Sequence, residues 1–79
     1  MAKGFITNEQ KQISDIGERI IGRRKRLQIS QEQIAKQIGK ARNTYSDMER
    51  NPGRINLEDF IAVLHELGLD ISVIERQSM

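Results

Sequence analysis

The 79-residue chain contains no cysteine, which excludes disulfide staples and thiolate metal ligands. Its one histidine has no run of suitably spaced carboxylates beside it, so no zinc site and no cofactor is expected. The longest apolar run, Phe60 to Leu64, is far short of the roughly 20 residues that span a bilayer. Residues 1–10 hold no apolar segment ahead of a small-residue cleavage site, so no signal peptide is read there and a reducing, cytoplasmic setting is expected. Internal repeats and low-complexity tracts are also missing. The length permits one small domain and excludes a multidomain enzyme. A core this thin, from a chain that removes only roughly 60% of its surface from water on folding, leaves oligomerisation as the remaining source of stability.

The charge is unevenly placed. Residues 1–54 carry twelve basic and six acidic side chains, whereas residues 55–79 carry one basic and five acidic. With a pI of about 9.3, the basic first part suits a polyanionic partner and the acidic end does not. An ordinary solvated surface is the alternative reading of the same charges.

Between Thr7 and Leu27, Ile13, Ile16, Ile20, Ile21 and Leu27 recur mainly at three- and four-residue steps, with Arg24 on the same face. That spacing predicts an amphipathic helix packed on this stripe. Thr7 and Gln10 form a capping-box signal, although Asp15 can begin a shorter helix. Gly17 and Gly22 each cost a helix roughly 1 kcal/mol relative to alanine, which predicts close backbone contacts there. Ser30 and Gln33 cap a short second helix with Ile34, Ala35 and Ile38 inward, closed by Gly39 in the left-handed conformation. A third helix starts at about Arg42 with Tyr45 and Met48 inward. After the Asn51-Pro52-Gly53 loop, Asn56 caps a fourth helix that turns Leu57, Phe60, Ile61, Leu64 and Leu67 to the core and stops at Gly68. Beyond it, Leu69, Ile71 and Val73 alternate with Asp70 and Ser72 as in a half-buried strand, or Asp70 starts a fifth helix.

The stretch from Gln31 to Arg50, with Ile34, Ala35, Ile38, Gly39 and Met48 at their spacing, resembles the helix-turn-helix of the lambda-repressor, Cro and Xre family. The similarity extends from about Ile16 to Gly68. It implies an all-α, four- to five-helix lambda-repressor-like domain over residues 13–68. Residues 1–12 are then an amino-terminal extension that includes a start of helix one. Residues 69–79 are a dimerisation strand and tail, the strand lying at the dimer seam. Three positions depart from the pattern: Lys40 stands where an apolar residue is usual, Ala41 where a Ser or Thr commonly caps, and Tyr45 replaces an aliphatic residue. An alanine cap typically loses about 1 kcal/mol, so the third helix is expected to fray at its start until DNA phosphate supplies a partner. Tyr45 is expected to be packing rather than function. A narrower similarity, at Glu49-Arg50-Asn51-Pro52 and from Asn56-Leu57 to Leu67-Gly68-Leu69-Asp70-Ile71-Ser72, is to HipB-type antitoxins. These repress their own operon and bind a kinase toxin, and their carboxyl-terminal segment pairs as a strand across a dimer.

Reading base edges in a major groove requires short or forked side chains on the first turns of a helix. Arg42, Asn43, Ser46 and Asp47 occupy those turns. Arg42 can donate two bonds to guanine and Asn43 can pair with adenine; Asp47 can accept from cytosine or simply repel phosphate. Gln31, Lys40, Thr44, Arg50 and Arg54 are the expected phosphate contacts. Arg23, Arg24, Lys25 and Arg26 point around a helix and cannot all face one partner. The resemblance implies that Arg24 pairs with Glu49 as a structural salt bridge. His65, flanked by Leu64 and Glu66, has no serine or carboxylate placed to form a catalytic set with it, so an enzyme is not expected. The function these readings imply is sequence-specific repression by a homodimer on double-stranded operator DNA with an inverted repeat, with Leu69, Ile71 and Val73 in the dimer seam. It extends to an antitoxin with a kinase-like toxin as partner. A protein-interaction module that neutralises such a partner, with DNA binding secondary, is the competing class.

Overall fold

Thr7 opens the first helix of the computed structural model, which describes residues 6–76. Its hydroxyl accepts from the Gln10 amide at 3.0 Å while the Gln10 carboxamide accepts from the Thr7 amide at 3.0 Å. This reciprocal cap settles the start of α1, which runs Asn8–Arg26 and does not begin at Asp15. Residues 1–5 of the amino-terminal extension and 77–79 of the tail lie outside the described residues. The helix closes through Gln28, which takes a φ of +60° without being glycine. Ser30 and Gln33 repeat the reciprocal cap at the head of α2, Gln31–Gln37. Gly39, at φ +73°, makes the tight turn into α3, Arg42–Arg50. A single 3-10 turn, Pro52–Arg54, follows, and then α4, Leu57–Glu66, headed by the Asn56 side chain, which accepts from the Asp59 amide at 2.8 Å.

Helices α2 and α3 pack on each other, α1 lies across α3 and the 3-10 turn, and α4 backs α2. The core they enclose consists of Ile20, Ile34, Ala35, Tyr45, Met48, Val63, Leu64 and Leu67. Two expectations about its facing residues need correction. On α1 only Ile20 of the apolar stripe is buried; Ile13 and Ile16 stay 37% exposed, because the first turns of that helix rest on the short 3-10 turn rather than on another helix, and Leu27, at the C-cap, is 42% exposed. On α4, Leu57 is 63% exposed and Val63 takes the inward place. Five consecutive apolar residues, Phe60 to Leu64, leave the inward direction of that helix undetermined by periodicity.

The two helical glycines also part company. A Cβ on Gly17 would lie 2.9 Å from the Pro52 ring, so the close approach expected there is real. Nothing lies within 4 Å of the corresponding point on Gly22, so the expectation fails there. Past Gly68, residues 69–76 are neither helix nor strand. The fifth helix begun by Asp70 therefore does not form among the described residues, and no strand forms within a single chain. Leu69 remains half-buried against the core.

Candidate nucleic-acid interface

The inward face of α3 is defined by Tyr45 and Met48, and the 3.6-residue period turns its other side chains outward. Arg42, Asn43, Thr44, Asp47 and Arg50 are exposed and Ser46 is half-buried. All four residues expected to read bases thus share one helix and reach solvent to differing degrees. Arg42 and Asn43 sit in its first turn, and neither makes a side-chain hydrogen bond or ion pair among the described residues. Ala41 supplies no side-chain cap, in contrast to Thr7, Ser30 and Asn56 at the other three helices. The first amides of α3 accordingly have no side-chain acceptor, and the helix presents donors and the positive end of its dipole together.

Several of the expected phosphate contacts are already engaged. Arg50 pairs with Asp47 one turn earlier on the same face. Lys40, in the turn, lies 3.2 Å from Asp59 in the first turn of α4. The Arg50 pair is exposed, where such contacts contribute about 0–1 kcal/mol and exchange readily for a stronger anion, while the Lys40 pair is half-buried. Arg54 is exposed and makes no ion pair among the described residues. Thr44 is exposed and Gln31 half-buried.

Behind α3 lies the group that orients it. The Glu49 carboxylate accepts from Arg24 Nε at 2.6 Å and Nη2 at 3.2 Å, from Gln31 Nε2 at 2.9 Å and from the Tyr45 hydroxyl at 2.6 Å. Arg24, only 8% exposed, also donates to the Ile29 carbonyl at 2.9 Å. The pairing of Arg24 with Glu49 is therefore present, forked and buried, and no side-chain nitrogen or oxygen buried among the described residues lacks a partner. Burial by itself pushes the Glu49 carboxyl upward. The hydrogen bonds from Arg24, Tyr45 and Gln31, with the Arg24 charge, outweigh it and hold the carboxyl below its ordinary value. Burial, then the hydrogen bond to Glu49 and its charge, drive the Tyr45 phenol well above its ordinary range, so it stays a donor. The hydrogen bond to Glu49 is the main cause that raises the Arg24 guanidinium, against the opposing effect of burial.

Sequence reasoning missed two members of this framework and part of a third. Tyr45 is packing, as expected, but its hydroxyl also closes the Glu49 site; its place four residues before Glu49, one helical turn away, was the available signal. Gln31, expected at phosphate, spends a side-chain N–H on Glu49. Arg23 donates from Nε to the Leu67 carbonyl at 2.8 Å, tying α1 to the negative end of α4. No local pattern signals that contact. Of the four consecutive basic residues, Arg24 and Arg23 are thus structural, and Lys25 and Arg26 are left on the surface.

Among the described residues no helix is long and apolar enough to cross a membrane, and no group of three His, Cys, Asp or Glu side chains is placed to hold a metal. His65 lies exposed in the last turn of α4. None of the curated proteins and none of the solved structures matches the chain. Residues 20–74, more than half of its length, match the family model described as helix-turn-helix. The match spans α2, the glycine turn and the outward polar α3, and the chain belongs to the helix-turn-helix family of DNA-binding transcription regulators, of the Xre and lambda-repressor kind.

Proposed function

We propose that the protein is a sequence-specific repressor that binds an inverted-repeat operator as a homodimer, with one α3 in each of two successive major grooves. The observation that carries this reading is the outward face of α3. Its uncapped start bears Arg42 and Asn43 free of protein partners, on a helix whose opposite face is locked by Tyr45 and Glu49. A helix held on its far face carries these side chains to a base edge without rearranging its backbone, and a helix without a side-chain cap gains most from a phosphate at its amides. Arg42 and Asn43, with Ser46 and Asp47, read the bases in this scheme. Gln31, Lys40, Thr44, Arg50 and Arg54 hold the backbone, and Lys40 and Arg50 give up Asp59 and Asp47 in doing so. One module of this size makes few base contacts, so a two-fold dimer with recognition helices about 34 Å apart supplies the specificity. Leu69, Ile71 and Val73, on a segment with no structure of its own, form the seam. Selection from a random-sequence duplex pool, followed by titration at several salt concentrations, tests the proposal. Enrichment of a palindrome with a steep salt dependence supports it. Enrichment of non-palindromic sites only, with a monomer on the DNA by sedimentation, rejects it.

The antitoxin reading adds a kinase-like toxin as a second partner. It is favoured by the similarity at Glu49-Arg50-Asn51-Pro52 and along 56–72, and it is checked by co-purification with the product of the adjacent gene.

A further inference from the structure

Arg54 rides on the shortest element of the fold. The 3-10 turn Pro52–Arg54 has no side-chain cap at Asn51. It closes on two backbone hydrogen bonds, from the Arg54 amide to the Asn51 carbonyl at 2.9 Å and from the Ile55 amide to the Pro52 carbonyl at 3.2 Å. A turn so short, with the poorer hydrogen-bond geometry of its kind, takes its place from what it packs on. It packs on α3 and on α1. Gly17, buried in the third turn of α1, meets the half-buried Pro52 ring so closely that a Cβ there would lie 2.9 Å from the ring's Cγ. One turn earlier Ile13 meets Gly53, where a Cβ would lie 3.4 Å from the Ile13 Cγ2. A glycine on each side thus admits the bulk of the other. Gly17 also stands seven residues before Arg24, two turns and about 10 Å along the same helix face. The helix that is braced to α3 through Glu49 therefore carries the seat of the turn as well.

We infer that Gly17, with Ile13, is a positioning residue for DNA binding: it sets where Arg54 meets the phosphate backbone. The inference rests on the reading of Arg54 as a phosphate contact on a specific site. Both residues precede residue 20, where the family match starts. Arg54 is exposed and makes no ion pair among the described residues, so its reach follows the turn that carries it. It borders two hollows, one of about 350 Å³ shared with Ile13 and Gly17 and one of about 380 Å³ shared with Thr44 of α3. The turn therefore has room to shift, and a shift moves Arg54 relative to Thr44, the other phosphate contact beside it. A methyl on Gly17 forces that shift. The Pro52 ring is closed on its own backbone and cannot turn aside. Ordinary contact, at 3.4 Å or more, returns only when the turn and α1 move apart by about 0.5 Å. The buried pair of Arg24 and Glu49 ties α1 to α3, so the turn is the part that yields. A displacement of about that size is enough to spoil a binding geometry.

Full-length Gly17→Ala, Arg54→Ala and the double variant are titrated at several salt concentrations against the duplex returned by random-pool selection and against a scrambled duplex. Gly22→Ala, on the same helix with nothing within 4 Å of the added methyl, is the control. Loss of one phosphate contact removes about 0.9 from the salt slope, which is roughly five- to tenfold in affinity at 0.1 M salt. Gly17→Ala should lose about threefold or more on the selected duplex, with a flatter salt slope and little change on the scrambled one. Once Arg54 is alanine, Gly17→Ala should cost nothing further, and Gly22→Ala should bind within about twofold of the parent. Where Gly17→Ala lacks the helical circular-dichroism signal of the parent, Ile13→Ala, at a side chain already 37% exposed, takes its place under the same criteria. A loss that persists undiminished in the Arg54→Ala background overturns the inference, because the methyl then acts through the fold at large. Parental binding by Gly17→Ala, beside a clear loss for Arg54→Ala, overturns the positioning role and leaves the phosphate contact standing. Parental affinity and salt slope for Arg54→Ala itself, or a pool that enriches no duplex, overturns the reading beneath the inference and the inference with it.

Discussion

Replacing Glu49 by alanine removes the one acceptor shared by Arg24, Gln31 and Tyr45. The consequence can be sized from burial. Arg24 keeps only its bond to the Ile29 carbonyl and remains a cation in a site where 10% of its side chain meets water. Removing one partner of such a pair costs about 3–5 kcal/mol, because the other charge is left without compensation. The Tyr45 hydroxyl, on a fully buried residue, loses its acceptor too. For a chain of this length the whole stability is of order 4–12 kcal/mol, so Glu49→Ala removes a large part of it. A lowering of Tm by about 15 °C or more is expected, at 4–8 °C per kcal/mol for a small domain. Tyr45→Phe deletes one of the four donated bonds and leaves the ion pair, and should cost about 1–2 kcal/mol. The triple variant Arg24→Met, Glu49→Leu, Tyr45→Phe removes every polar member of the pair and phenol together and should be milder than Glu49→Ala alone. Circular-dichroism melts and urea titrations of the three variants, with no DNA present, read the order directly. A Glu49→Ala protein that melts within about 3 °C of the parent, a change of under 1 kcal/mol, would refute the reasoning, since the buried pair would then contribute nothing.

The lowered Glu49 carboxyl gives the fold a pH signature. The stability it contributes is fully present above its ordinary value of 4.5 and is lost as pH falls through the lower folded-state value. Acid titration of Glu49→Gln should lack that component, and parallel acid curves for the two proteins would refute the assignment. Gly17→Ala and Gly22→Ala, on one helix, should shift urea midpoints in opposite directions at concentrations where the chain is monomeric. The first drives a methyl into the Pro52 ring, and the second gains about 1 kcal/mol of helix propensity in open space. On operator DNA, Arg42→Ala should relax the choice at one base pair by roughly 1–3 kcal/mol. Arg54→Ala should weaken all sequences alike and flatten the salt slope by about one unit. Equal losses on every sequence for both variants would move Arg42 to the phosphate group.

Local signals in the sequence carried most of the fold. Thr7 with Gln10, Ser30 with Gln33, Asn56, Gly39 and Gly68 mark helix ends through contacts three residues long or through backbone freedom, and the structure uses each of them. What escaped depends on distance along the chain. Arg23 reaches the end of α4 and Lys40 reaches Asp59, contacts no spacing rule contains. The outward turn of Leu57 and the inward turn of Val63 are decided by how α4 sits on α2, not by its own pattern. Gln28 adopts a conformation that composition assigns to glycine. At the nucleic-acid face, the outward set on α3 and the pairing of Arg24 with Glu49 were legible because the helix-turn-helix resemblance supplied their register. The additional duties of Tyr45 and Gln31 were not.

The meeting of α1, α2 and α3 at one carboxylate bears on how the domain opens. Arg24, Gln31 and Tyr45 belong to three different helices; parting α1 from α3 strands the Arg24 charge, and withdrawing α2 takes the Gln31 hydrogen bond from Glu49. Opening of α3 alone therefore breaks the buried ion pair, and the amides of α3 and of α1 from Ile20 onward should exchange with solvent deuterium together. The first turns of α1, which rest only on the 3-10 turn, and the segment after Gly68 fall outside that unit. Helix α3, so bound to its neighbours, moves with them as a rigid body, while the parts free to rearrange are the first turns of α1 and the segment after Gly68.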